Sequence, residues 1–245
     1  MADLNRPAGV LVKTTLVDFP GHVATAFFLK GCNLRCPYCY NTGLVLNNES
    51  DDNLVSVNTL FEHLEKRRNV IDGLVISGGE PLINPYLKEI IRKAKSLGYL
   101  IKMDTNGLLP DRIESLIKDP ELKPDFIAMD IKTSPLRYWE TMTGRPLPSE
   151  KEIMAEAIKR TAEVVSSLPA KNREFRTVLV PGLITKNDIL EISKILPKDA
   201  SWQFAQFRNE NCLNPSYNEI PPYIDQVINE LLDYAKTLIP GSELR

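Results

Sequence analysis

Six short β-rich runs alternate with helical patterns along this chain, and that alternation restricts the fold more than any single motif. The runs are 24–30 (ATAFFLK), 73–77 (GLVIS), 99–103 (YLIKM), 125–130 (DFIAMD), 174–180 (EFRTVLV) and 201–207 (SWQFAQF). Between the first two, Val57, Leu60, Phe61 and Leu64 recur at i, i+3, i+4 and i+7, the spacing of one helix face. The pattern returns over 86–97 and stops at Gly98, a natural C-terminal cap. Further helical patterns cover 111–118, about 150–167, 186–195 and 223–238. Strands alternating with helices predict parallel βαβ units and an α/β fold.

The chain's 245 residues fit one large domain or two small ones, and 43% apolar content is ample for a core. Thirty basic residues stand against 32 acidic ones. No global field therefore recruits nucleic acid or an anionic membrane, and specificity rests on a local site. Apolar runs such as Val178-Leu179-Val180 are too short to cross a bilayer. The opening MADLNRPAG lacks the basic and apolar regions of a signal peptide. A cytoplasmic, reducing location is expected, where a disulfide framework is disfavoured.

Several strands run directly into polar or glycine-rich turns: Ser77-Gly78-Gly79-Glu80, Asp104-Thr105-Asn106-Gly107, Asp130-Ile131-Lys132 and Val180-Pro181-Gly182. In parallel α/β folds the C-terminal strand ends carry the chemistry. Two glycines before Glu80 and Pro81 let a ligand approach the backbone, while Glu80 offers a carboxylate. Such a turn also closes ordinary strand–helix connections. Asp104, Asp130 and Lys132 supply both charge signs, as a zwitterionic amino-acid group requires; buried ion pairs or turn chemistry are the simpler alternatives.

Three of the four cysteines form Cys32-x3-Cys36-x2-Cys39. Closely spaced thiolates can wrap one corner of an iron–sulfur cluster, and three ligands on four irons leave one iron open. The rival is a structural zinc with a distant fourth ligand. His22, His63 and Cys212 lack finger-type spacing. His63 reads as a solvated helix position, Cys212 as a packed or surface thiol. Tyr138, Trp139, Trp202 and Phe204 read as core or wall residues.

With Tyr38 as its aromatic, and Gly78-Gly79-Glu80-Pro81 following, the cysteine motif resembles the radical S-adenosylmethionine (SAM) superfamily. Thr15-Leu16-Val17-Asp18-Phe19-Pro20-Gly21, Asp104-Thr105-Asn106-Gly107, Asp130-Ile131-Lys132, Val180-Pro181-Gly182 and the tail 206–211 resemble glycyl-radical-enzyme activating proteins. Among these, the resemblance is greatest to activators of anaerobic ribonucleoside-triphosphate reductase, with pyruvate formate-lyase activators close by. The resemblance implies a partial (β/α)6 TIM-like barrel forming one radical SAM domain over 1–245, with the cysteine loop at 31–56. It implies that Cys32, Cys36 and Cys39 hold one 4Fe–4S cluster. SAM would be bound by Tyr38, Gly78, Gly79, Glu80, Pro81, Asp104, Thr105, Asn106, Asp130, Lys132, Val180 and Arg208, with a monovalent cation near Asp104, Thr105 and Asp130.

Reductive cleavage of SAM would yield a 5′-deoxyadenosyl radical that takes hydrogen from a glycine of a partner glycyl radical enzyme. Modification of a small molecule or another macromolecule is the alternative. Flavodoxin or ferredoxin would donate the electron, and the free protein would be a monomer with no nucleic-acid or membrane partner. Two departures stand out: Tyr40 occupies the place where the family usually has His, and Arg208 is the local match to a ribose-contacting His.

Overall fold

The computed structural model describes residues 3–46, 53–141 and 148–245. The chain folds into two compact units. One holds Met1–Asn33, Gly43–Thr105 and Arg112–Ile127, the other Leu34–Thr42, Asn106–Asp111 and Ala128–Arg245.

In chain order the first elements are β1 (Pro7–Thr15), β2 (Ala24–Leu29), α1 (Thr42–Val45), β3 (Leu54–Ser56), α2 (Val57–Arg67), β4 (Gly73–Gly78), α3 (Leu87–Ser96), β5 (Leu100–Thr105) and α4 (Pro110–Lys118). The strands of the first unit lie in the order β3-β1-β2-β4-β5. Ala24–Leu29 pairs in parallel with Gly73–Gly78, which pairs in parallel with β5 from Gly73↔Leu100 to Ile76↔Met103. β1 runs antiparallel to both β2 and β3.

Helices α2 and α3 bury the residues their periodicity marks: Val57, Leu60 and Leu64, then Leu87, Ile90, Ile91 and Ala94. Each buried Leu or Ile contributes roughly 1.5–3 kcal/mol, which holds segments too short to be helical alone. Ser56 caps α2 by accepting from Thr59 N–H, and Gly98 follows α3 at φ +90°. Phe19, Ala24, Ala26 and Val75 form a buried cluster, with Phe28 and Phe126 packed against it.

β6 (Phe126–Asp130) leads into α5 (Pro148–Ser166), β7 (Arg173–Leu179), α6 (Lys186–Ser193), β8 (Trp202–Gln206), α7 (Asp225–Leu238) and β9 (Ser242–Leu244). In the second unit β7, β8 and β9 pair in parallel. Helix α6 opens on a complete capping box between Thr185 and Asp188.

All six expected strands and all six expected helices are present. Among the described residues β1, β3 and β9 are additional. β1 begins Pro-Ala-Gly, residues that weaken a strand pattern, and β3 and β9 span three residues each. Elements this short exist only because a neighbouring strand supplies their hydrogen bonds.

Candidate active site

In the first unit, the turn after β4 is shaped by close backbone packing. Gly79 N–H donates to Leu29 O at 2.8 Å, and Glu80 N–H to Gly31 O at 2.9 Å. A Cβ at Gly79 would stand 1.9 Å from Gly31 O and 3.3 Å from the Cys32 Cβ. At Gly78, where φ is +110°, a Cβ would lie 2.4 Å from both N and O of Leu29. The glycines therefore let the end of β4 approach the residues that lead into Cys32. The space that the sequence suggests for a ligand is filled here by Leu29 and Gly31. The Gly79 and Glu80 amide protons are thus taken, and since an ammonium group only donates, what the Gly78-Gly79 backbone can offer one is carbonyl oxygen.

Glu80 is fully buried, and its Oε1 accepts from Leu82 N–H at 3.1 Å and Thr105 Oγ1 at 3.0 Å. The carboxylate thus caps the 3₁₀ turn Pro81–Ile83 and ties it to the end of β5. Asp104 accepts from Ser77 Oγ at 2.7 Å and from Lys102 Nζ at 2.9 Å. No motif marks Lys102. The two-residue period of a strand, which puts positions 102 and 104 on one face, is the signal that reveals it.

In the second unit, Cys36 is buried and Cys39 half-buried, joined by Cys39 N–H to Cys36 O at 3.0 Å. The tail is fastened to this loop: Leu213 N–H donates to Cys39 O at 2.8 Å and Asn214 N–H to Pro37 O at 2.9 Å. Cys212 is buried beneath that fastening, with its Sγ 3.7 Å from Arg208 O. Burial, with Cys39 nearby, raises its thiol pKa.

Asp130, at the end of β6, accepts from Arg176 Nε at 2.6 Å and Lys132 Nζ at 2.9 Å. Burial opposes the Lys132 charge. The Asp130 carboxylate, with Tyr38 and Cys36 adjacent, overcomes it and holds the ammonium well above its ordinary pKa. Burial, reinforced by Cys36, keeps the Tyr38 phenol protonated.

The remaining candidates are placed as follows. Asn106 Oδ1 accepts from Leu108 N–H at 3.1 Å. Val180 is buried, and its carbonyl accepts from Leu183 and Ile184 N–H. Arg208 is exposed. Tyr40 is 63% exposed. Tyr138, Trp202 and Phe204 are core residues as expected, whereas Trp139 is only partly buried and lies under Lys151 Nζ at 3.9 Å. His63 departs from its expected solvated role. Its Nε2 lies 3.0 Å from Thr25 Oγ1 and 3.1 Å from Lys13 O, joining α2 to β1 and β2.

Residues 27–193 match the radical SAM superfamily. The chain belongs to that family. Its strand-end residues thus sit on an α/β fold of the radical SAM type, and it is a radical SAM enzyme. It is 30% identical over 239 residues, 96% of its length and 94% of the relative's, to a Methanocaldococcus jannaschii protein provisionally named a glycyl-radical enzyme activating enzyme. It is 27% identical over 199 residues, 76% of its length and 81% of the relative's, to the 7-carboxy-7-deazaguanine synthase of Hyperthermus butylicus. Streptococcus suis SuiB, solved with its precursor peptide SuiA, superposes with a TM-score of 0.58 at 18% identity. That match covers 87% of this chain and 46% of SuiB, and it speaks for the fold alone.

The residues fit the cofactors that a radical SAM enzyme uses. Cys32, Cys36 and Cys39 are not joined in disulfides. Among the described residues no three His, Cys, Asp or Glu side chains are set to hold one metal ion; a cluster needs no such point, because its thiolates bind different irons. The Tyr38 hydroxyl is buried without a hydrogen-bond partner, which costs about 1–3 kcal/mol, and a polar ligand would satisfy it. Among the described residues no helix is long and apolar enough to cross a membrane.

Proposed function

We propose that this radical SAM enzyme installs a glycyl radical on a large partner protein, with anaerobic ribonucleoside-triphosphate reductase as the first candidate. The observation that carries this reading is the near full-length similarity to the M. jannaschii protein. The loop after β1 supports it. Thr15 Oγ1 donates to Asp18 Oδ2 at 2.5 Å, fixing a turn from which Leu16 and Val17 stand 71% and 70% exposed. Apolar side chains held outward on an ordered turn suit contact with a protein.

In this reading Cys32, Cys36 and Cys39 would ligate a 4Fe–4S cluster, leaving one iron for the amino and carboxylate groups of SAM. When bound, the cluster and SAM together supply one-electron reductive cleavage and hydrogen-atom abstraction. The Gly78 and Gly79 carbonyls would receive the substrate ammonium. Asp104 with Lys102, and Asp130 with Lys132 and Arg176, would match the zwitterion with groups of both signs. Tyr38, Glu80, Pro81, Thr105, Asn106, Val180 and Arg208 complete the proposed SAM set, Glu80 by holding the turn rather than by contact. The basic side chains facing Asp104 and Asp130 reduce the electrostatic need for a monovalent cation there. A flavodoxin or ferredoxin would supply the electron.

The similarity to the H. butylicus synthase favours a second reading, in which the same machinery acts on a small molecule. Anaerobic incubation with reductant, SAM and the purified reductase, followed by electron paramagnetic resonance, separates the two. The proposal expects a glycyl doublet on the partner. SAM cleavage with no doublet would overturn it in favour of the second reading.

A further inference from the structure

We infer that Tyr138 is a positioning residue that fixes Asn106, Asp130 and Lys132 for SAM; the inference rests on the site reading above. Tyr138 is fully buried. Its hydroxyl lies 3.0 Å from Asn106 O and 3.0 Å from Asp130 O, and it accepts from Lys132 N–H at 3.2 Å. One phenol therefore joins the turn after β5, the end of β6 and the residue that carries the Lys132 ammonium. Burial holds the phenol protonated, so it always has a proton to share between the two carbonyls. The hydroxyl's one proton faces two carbonyls, and one of its acceptor sites takes the Lys132 amide.

The support beneath the ring is equally specific. Tyr138 stands on the 3₁₀ segment Pro135–Thr141. Its neighbour Arg137 grips Glu140 through Nε and Nη2, both at 2.8 Å, and Asp188 through Nη1 at 2.8 Å. Arg137 Nη2 also donates to Gly182 O at 2.8 Å. Asp188 accepts from Ser134 Oγ at 2.8 Å and Thr185 Oγ1 at 2.6 Å. This anchoring leaves the phenol little freedom, so the backbone at 106, 130 and 132 is held by a group whose own position is fixed. Groups that orient binding residues are commonly worth about ten- to a hundredfold in affinity or activity.

The test uses the reconstituted holoenzyme and SAM itself. Tyr138→Phe keeps the ring and removes the hydroxyl. Its SAM dissociation constant is expected to rise about tenfold or more, with KM for SAM rising more than kcat falls. Iron and sulfide content, and the resonance spectrum of the reduced cluster without SAM, are expected to stay as in the parent. Thr141→Val removes the 2.6 Å bond from Thr141 Oγ1 to Tyr138 O but keeps the phenol. It is expected to bind SAM within about twofold of the parent, marking the hydroxyl rather than a loosened turn. A loaded Tyr138→Phe enzyme with parental SAM affinity would overturn the inference, as would one that loses its cluster together with its SAM binding. A loaded parent enzyme that binds no SAM would instead overturn the site reading on which the inference stands.

Discussion

Lys102 Nζ lies 2.9 Å from Asp104 Oδ1 on the same strand, and the Lys102 side chain is 1% exposed. A buried ammonium needs an opposing charge, because the cost of taking it out of water is otherwise uncompensated. Asp104→Asn removes that charge and is expected to cost about 3 kcal/mol. Lys102→Met is expected to cost less, since the Asp104 side chain is 12% exposed and keeps its bond from Ser77. Denaturant unfolding of the anaerobic protein measures both, and equal losses would contradict the asymmetry.

The glycines after β4 allow a comparison between crowding and backbone strain. Gly98 and Gly78 both have positive φ, but a Cβ at Gly98 meets nothing within 4 Å. Gly98→Ala is expected to cost about 1 kcal/mol from the left-handed backbone alone. Gly78→Ala adds a clash with Leu29 backbone, and Gly79→Ala a clash with Gly31 O. Each is expected to exceed the Gly98 variant by about 2 kcal/mol or more. Thermal midpoints that rank Gly98→Ala with the other two would refute the packing account.

Cys36→Ala is expected to lose iron, sulfide and reductive SAM cleavage together. Cys212→Ala is expected to keep its iron, because the Cys212 thiol already donates to Arg208 O and is not one of the three motif cysteines. Iron and sulfide assays of anaerobically reconstituted protein decide the matter. A Cys212 variant with a Cys36-like deficit would make the tail cysteine a cluster ligand.

His63 confers a pH dependence on the first unit. Burial lowers its pKa, as do the neighbouring Arg67, Lys13 and Lys66, and the bond to Lys13 O only partly offsets them. The fold thus favours the neutral ring. Its contribution is fully present above the unfolded value of about 6.5 and is lost as pH falls through the lower folded value. The unfolding midpoint should decline as pH falls from about 7 through the lowered folded value, and His63→Gln should flatten that decline. An unchanged slope in the variant would assign the effect elsewhere.

Much of the fold is legible in the residue pattern. The face formed by Val57, Leu60 and Leu64, the stop at Gly98 and the turns after 77, 104 and 130 all follow from local spacing, and the structure has them. Other features depend on distant neighbours. No local pattern shows that Gly79 is pressed against Gly31, that Glu80 serves Leu82 and Thr105, or that Arg176 reaches Asp130. His63 looked like a surface residue because its partners, Thr25 and Lys13, are remote in sequence.

The sequence by itself supplied the donors: three closely spaced cysteines and polar residues at successive strand ends form a pattern that resembles the radical SAM superfamily, because short-range spacing decides which donors can converge. Only the tertiary structure decided what each donor is free to do. It consumed the 79–80 amides, turned Glu80 into a cap, placed Lys102 against Asp104 and gave the Tyr138 hydroxyl three backbone partners. Those assignments depend on which strands and turns lie side by side, and hydrogen bonds of about 3 Å register that proximity where sequence separation does not.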